Sequence, residues 1–265
     1  MPLHYGGEKL SLLDIRNLTV KFGGLTAIED FSMNVKEGEI HSLIGPNGAG
    51  KTTVFNVITG VVKPVAGRIL FDGTDITKEE THKIVKFGIS RTFQSVVVFK
   101  YMTVLENLYL GYHSRLNISM LNEIIPNKKS SEQIWNMYRS ALEIADFLDL
   151  KTRLLSYAGM IPFAAQKMVE IGRALMSKPK LLLLDEPAAG LTEVETEKLK
   201  KIIRLIRDKL KITILLVEHD MPIVMSISDK ITVLDFGRKI SEGAPEQVRK
   251  DPKVIKAYLG ESESA

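Results

Sequence analysis

The sequence predicts an α/β fold built on a buried, largely parallel sheet, and three observations predict it. Short β-rich runs alternate with longer stretches of helical periodicity. A glycine-rich segment from Gly45 to Thr52 lies between a strand-like run and a helical one. The run Leu181–Leu184 is apolar on consecutive residues, as in a strand covered on both faces, and it leads directly into Asp185 and Glu186.

Taken in order, the expected strands are Leu12–Val20, Glu39–Ile44, Arg68–Phe71, Leu181–Leu184, Thr213–Val217 and Lys230–Leu234, the last four flanking or following long helical stretches. One helix is marked at its start by Thr192 and Glu195, a Thr-x-x-Glu capping box. Leu199, Ile202, Ile203, Ile206 and Leu210 then share one face, with basic residues between them facing water. A second helix is expected over about Gln166–Met176, stopped by Lys178 and Pro179. The region of about 96–160 is helix-rich, contains the polar stretch Asn127–Gln133 and the only tryptophan, Trp135, and is expected to be a helical subdomain inserted into the α/β core. That leaves a core of about 1–95 and 161–240, and a C-terminal extension of about 241–265 whose last residues, Glu261–Ala265, read as a frayed tail.

A chain of 265 residues suits one large domain, and 45% hydrophobic with 26% charged residues is an ordinary globular balance. The net charge of +4 comes from interleaved acidic and basic residues, so charge makes no case for nucleic acid as a partner. With no cysteine, disulfides, thiolate metal sites and thiol catalysis are excluded. Met1 to Leu13 lacks the pattern of a signal peptide, and no run approaches the roughly 20 apolar residues that span a bilayer. The reading is therefore a cytoplasmic chain, with any membrane role reached through a partner.

The strongest chemical signal is Gly45, Pro46, Asn47, Gly48, Ala49, Gly50, Lys51 and Thr52, which fits G-x-x-x-x-G-K-[ST] after a strand. Glycines let the backbone aim several N–H groups at one anion, and the following helix adds the positive end of its dipole. Lys51 reaches the β- and γ-phosphates, the Thr52 hydroxyl is placed to hold Mg²⁺, and Thr53 can donate to the α-phosphate. A glycine-rich turn before an ordinary helix is the plain alternative, and the acidic strand downstream argues against it.

That strand ends in Asp185 and Glu186, at the carboxyl edge where such sheets bind ligands. Asp185 would hold Mg²⁺ through a water opposite Thr52, and Glu186 can polarise the attacking water as a general base. His219 follows a second buried run, where it can bond the γ-phosphate and hold the water in line. Alone, a histidine after a strand is more often structural. Gln94 follows Ser90–Phe93 and can ligate Mg²⁺ through its amide. Phe22, ahead of the phosphate loop, can stack on an adenine ring.

Together these residues resemble the ABC transporter ATPase family over nearly the whole chain. The family's order of elements is matched by Phe22, Gly45–Thr52, Gln94, Ile161–Gln166, Leu181–Glu186, Ala189–Thr192 and His219. The segments Lys21–Ile28, Leu184–Leu191, Val217–Met221, Glu242–Val248, Val254–Leu259 and Ala257–Gly260 look like the ATPases of branched-chain (hydrophobic) amino acid importers. The resemblance implies a P-loop NTPase, RecA-like core with an antiparallel β subdomain and an inserted helical signature subdomain. It implies ATP and Mg²⁺ as cofactors and hydrolysis of ATP with Lys51, Gln94, Glu186 and His219 as the catalytic set. The implied partners are transmembrane permease subunits, a second ABC ATPase (identical or different) and, indirectly, a periplasmic or extracellular solute-binding protein. The implied place is the inner face of the cell membrane.

Two departures stand out. The family signature usually reads Leu-Pro-Phe-Gly-Gln-Gln, and this chain has Ile161, Pro162, Phe163, Ala164, Ala165 and Gln166. In the family this segment caps the γ-phosphate held by the opposite subunit, through N–H groups at a helix start. Alanine in place of glycine costs little if φ is helical, and about 1 kcal/mol or more if φ is positive. Slowed hydrolysis, pairing with a different ATPase, and an unusual active variant all remain open, and the alternatives to an amino acid importer are an ABC ATPase of another transporter class and an ATP-gated dimerisation module with weak hydrolysis. The dimer-contact loop Ala189, Gly190, Leu191 and Thr192 continues with Glu193 where the family often has Asn-Pro, a change that Thr192 absorbs by capping the next helix.

Overall fold

The structure, a computed structural model, describes residues 11–116 and 128–262. Readings that fall on 1–10, on Asn127 or on the tail beyond Ser262 lie outside the described residues.

The fold has two sheets. A four-stranded antiparallel sheet has the order β2-β1-β4-β5, with β1 Ser11–Phe22, β2 Leu25–Lys36, β4 Ala66–Phe71 and β5 Thr74–Asp75. A six-stranded sheet has the order β10-β9-β3-β8-β7-β6. Its strands are β3 Ile40–Ile44, β6 Ile89–Arg91, β7 Leu181–Asp185, β8 Thr213–Val217, β9 Lys230–Asp235 and β10 Arg238–Gly243. Pairings within it are parallel except β9 with β10.

Three sequence readings are corrected here. Arg68–Phe71 does not join the α/β sheet but pairs antiparallel with β1. Strands β2, β5, β6 and β10 were not expected as strands; β2, with polar residues such as Glu29, Asp30 and Asn34 on its exposed face, hides its alternation behind register shifts. The helix expected from Gln166 starts three residues earlier, at Phe163.

The helices are α1 Lys51–Ile58, α2 Thr81–Phe87, α3 Val104–Tyr112, α4 Lys128–Phe147, α5 Phe163–Met176, α6 Glu193–Leu210, α7 Met221–Ile227, α8 Pro245–Lys250 and α9 Pro252–Ser262. The capping box at Thr192 forms as expected, and Leu199, Ile203 and Ile206 of α6 are buried, while Leu210 at its end is exposed. A second capping box, Thr103 with Glu106, starts α3.

Alternation along β7 explains why its sequence is apolar throughout. Leu181 and Leu183 pack with β1, β2 and α1, whereas Leu182 and Leu184 pack with α3, α4, α5 and α6. Leu215 and Ile214 of β8 divide in the same way. Charge in the middle of such a strand would be unpaired and dry, so polar residues collect at its end. The order β3-β8-β7-β6 therefore lines up four strand ends on one edge: Ile44 before the glycine loop, Val217 before His219, Asp185 before Glu186, and Arg91 before Gln94.

Candidate functional site

The glycine loop is built by close approach. Gly45 has φ 152°, and a side chain there would run into the Leu234 carbonyl oxygen of β9. Gly50 has φ 106°, and a Cβ would meet Ile28 of β2 at 2.6 Å. The loop is thus wedged between β9 and β2, and β2 is the strand that follows Phe22. The Phe22 ring is half exposed at the end of β1. Gly237, in the β9–β10 turn, donates its N–H to Ala49 O at 2.9 Å and so braces the loop from the other side.

Helix α1 begins at Lys51 with no side-chain cap on its first N–H groups. Lys51 is 8% exposed, and its ammonium donates to Gly45 O at 2.6 Å and Pro46 O at 2.8 Å. The cation thus sits over the loop's own backbone, at the helix end that attracts anions. Thr52 is exposed and Thr53 half-buried beside it.

Asp185 is 3% exposed. Burial pushes its carboxyl above the ordinary aspartate range, the adjacent Arg91 guanidinium pulls it back, Glu186 opposes that and Lys51 supports it. Glu186 has φ 46°, a strained conformation for a non-glycine residue, fixed by its N–H donating to Val217 O at 2.9 Å. That turn sends its carboxylate away from the strand. Gln94 Nε2 donates to Glu186 Oε2 at 3.0 Å, and His219 Nδ1 lies 3.7 Å from the same oxygen. The structure therefore gathers Glu186, Gln94 and His219, from three strand ends, around one carboxylate oxygen.

The donor set on this edge is oxygen only: the Thr52 hydroxyl, the Asp185 carboxylate and the Gln94 amide oxygen. Hard oxygen donors, few of them charged, fit Mg²⁺, which keeps waters and phosphate oxygens in its shell. Among the described residues no group of three or more His, Cys, Asp or Glu side chains could hold a metal by itself.

The signature segment lies outside the sheet, at the start of α5. Ile161 is buried, Pro162 is the N-cap of α5, and Phe163, Ala164 and Ala165 form its first turn. Ala164 is therefore helical and absent from the residues with positive φ, so alanine carries no backbone strain there. No side chain caps this helix start; Gln166 turns back, its N–H on Pro162 O and its amide on Ile161 O. The Phe163 ring is exposed and adjoins Gly190, where a Cβ would meet it at 3.1 Å and φ is 78°. Ala189 and Leu191 are held by turn bonds to Glu186 O and Ala188 O, and Ala188 in turn donates to Glu218 at 2.8 Å. Thr192 then caps α6.

Sequence reasoning missed four supporting residues. Arg91 pairs with Asp185 at 2.7 Å. Lys167 of α5 is buried, with burial holding its ammonium below the ordinary lysine range, and it donates to Glu186 O at 3.4 Å. Glu170 accepts from the Phe93 N–H at 3.0 Å, and Glu218 holds Ala188; burial raises both carboxyls. The available signal was charge set in or against an apolar run, as at Glu170 between Val169 and Ile171 and at Glu218 after Ile214–Val217; Arg91, between Ser90 and Thr92, carried no such signal.

The family profile described as ABC transporter matches residues 28–189, and that of the branched-chain amino acid ATP-binding cassette transporter matches residues 238–264. The high-affinity branched-chain amino acid transport ATP-binding protein BraF of Pseudomonas aeruginosa is 44% identical over 257 residues, covering 95% of this chain and 98% of the relative. LivG of Escherichia coli, a protein of the same description, is 40% identical over 254 residues, with 95% and 98% covered. Among solved structures, an ATP-binding cassette of an ABC transporter in its ADP conformation superposes with a TM-score of 0.82 at 36% identity, covering 95% of this chain and 99% of that one.

Proposed function

This chain belongs to the ABC transporter family of ATP-binding proteins, and on that premise we propose that it hydrolyses ATP to drive the import of branched-chain (hydrophobic) amino acids. The observation that carries the reading is the convergence of Lys51, Asp185, Glu186, Gln94 and His219 on one sheet edge, beside an uncapped helix start. BraF and LivG, both described as branched-chain amino acid transport ATP-binding proteins, supply the substrate class.

A triphosphate enters the loop with its phosphates on the α1 N-terminus, and Lys51 exchanges its bonds to Gly45 and Pro46 for β- and γ-oxygens. Phe22 stacks on the base. Thr52, Asp185 and Gln94 are the residues that would hold Mg²⁺, whose chemistry when bound is to neutralise charge on the β- and γ-phosphates. Glu186 takes the proton of the attacking water, held in place by Gln94 and His219. Charge developing on the γ-phosphoryl group is met by Lys51 and loop N–H groups, which are preorganised donors.

The signature segment of one subunit is assigned to the γ-phosphate of another, because its first turn carries no side-chain cap and begins at the exposed Phe163, with Ala164 and Ala165 half-buried behind it. Gly190 and its neighbours lie beside it and extend the same contact face. Among the described residues no helix is long and apolar enough to cross a membrane, so the membrane side of the work falls to permease subunits. Tyr101, Tyr157 and Met160 are exposed and line one shallow groove with Lys100 and Gly159, and this groove forms the proposed permease contact, on the inner face of the membrane. A solute-binding protein would act only through those subunits.

The deciding experiment purifies the chain from membranes, identifies the co-purifying subunits and measures phosphate release with Mg²⁺ for the wild type and Glu186→Gln. Release that depends on Glu186, with permease subunits bound, supports the proposal; release equal in both variants contradicts it. Ala164 and Ala165 favour a second reading, an ATP-gated dimerisation module with weak hydrolysis. Nucleotide-dependent pairing with wild-type turnover as low as that of Glu186→Gln would select it.

A further inference from the structure

Arg91 is buried at the edge of the nucleotide site with no role in the reaction described above. Its side chain is 8% exposed, and its guanidinium joins three parts of the molecule. One nitrogen donates to Asp185 Oδ2 at 2.7 Å and another to Asn56 Oδ1, on the helix that follows the phosphate loop, also at 2.7 Å. Its planar group lies 5.3 Å from the Phe55 ring centroid and 5.4 Å from that of Phe93, next to Gln94. The Nε–H, buried near these rings, has no hydrogen-bond partner among the described residues.

These features do not describe a device for stability. A buried ion pair contributes little net stability compared with apolar residues of the same shape, and an unpartnered buried N–H subtracts from it. They do describe an orienting group. A carboxylate with one oxygen fixed by a two-handed guanidinium presents its other oxygen in a set direction, and the groups behind metal ligands act in this way.

We propose that Arg91 is a positioning residue that aims Asp185 at the divalent cation and locks that aim to Asn56 and to the Phe93–Gln94 segment. The inference rests on the assignment of Asp185 to the metal side of the site. Through Arg91, the metal-facing carboxylate, the end of the phosphate-loop helix and the Gln94 strand end move as one body. Lysine cannot replace it fully, because a single ammonium reaches Asp185 or Asn56 but not both in the same plane.

The test is a Mg²⁺ titration of the full chain carrying a fluorescent ATP analogue, with analogue affinity also measured in EDTA. Arg91→Ala is expected to raise the Mg²⁺ concentration for half-maximal response about 10- to 100-fold, the usual loss when a group behind a metal ligand is removed. Arg91→Lys should recover part of that, Asn56→Ala should produce a smaller rise, and affinity in EDTA should stay at the wild-type value in all three. A wild-type Mg²⁺ midpoint in Arg91→Ala, or an equal loss of affinity with and without Mg²⁺, overturns the proposal. If Arg91→Ala does not fold, wild-type midpoints in both Arg91→Lys and Asn56→Ala overturn it instead. Asp185→Asn separates the two levels. A shifted midpoint there with none in the Arg91 variants removes only the role of Arg91, whereas an unshifted midpoint in Asp185→Asn removes the metal assignment beneath it.

Discussion

Two helix starts on this molecule, α1 and α5, share a property and differ in everything around it. Neither carries a side-chain cap, so each leaves its first N–H groups pointing outward. At α1 those groups open into a loop wedged between β2 and β9, next to a buried lysine and in line with a buried aspartate. At α5 the first turn is made by an exposed phenylalanine and the half-buried Ala164 and Ala165, with no buried cation or carboxylate among them. The first start is a finished receptor for an anion. The second is half of one. On the proposed assignments, the chain binds nucleotide at the first start by itself and completes the site with the second start of another subunit.

The comparison can be broken at either end, and the effects should differ in size. Glu186→Gln should lower ATP turnover about 10²- to 10⁴-fold, the range for loss of a general base, while nucleotide affinity stays near wild type. Phosphate release and analogue binding on the same sample check this. Lys51→Ala should weaken nucleotide binding about 10- to 100-fold, from the loss of charge-assisted bonds of roughly 1.5–3 kcal/mol. An affinity titration in EDTA, where Mg²⁺ cannot compensate, checks that directly.

Ala164→Gly should raise turnover of the assembled transporter by no more than about tenfold. The expected gain is modest because the α5 backbone already accepts alanine without strain, so only a methyl group at the proposed phosphate contact is removed. Unchanged or lower turnover would show that this methyl is not a hindrance.

A capped helix start supplies the control. Thr103→Ala should lower the free energy of unfolding by about 1 kcal/mol, as loss of a cap does. Bonds from Thr103 hold the Glu106 carboxyl below the ordinary glutamate range. A carboxyl whose pKa is depressed on folding stabilises above its unfolded value, and the contribution disappears as pH falls through the folded one. The gap between wild type and Thr103→Ala in denaturant unfolding should therefore narrow as the pH is lowered through the carboxylate range.

Much of the nucleotide half was legible in the sequence because its residues sit in local patterns. The glycine loop follows a strand, and Asp185 and Glu186 end an apolar run. Both patterns state the chemistry and the secondary structure together. Strand order was not legible, yet it is what places His219 beside Glu186 and Arg91 beside Asp185, across 33 and 94 positions of chain respectively. β2 escaped because register shifts break its alternation, and Arg68–Phe71 was given to the wrong sheet because strand-like composition does not reveal a partner. The helical φ of Ala164 also had to be seen, since sequence alone leaves both costs open.

The central claim is that the signature of this chain is covered by a nucleotide-bearing partner when ATP is present. With no native cysteine, Ala164→Cys gives a single thiol to report it. In Glu186→Gln transporter purified with its own subunits, the rate of labelling by a thiol reagent would be measured without nucleotide, with Mg-ADP and with Mg-ATP. Labelling that is fast in the first two states and strongly suppressed by Mg-ATP is predicted; labelling equally fast in all three would contradict the account.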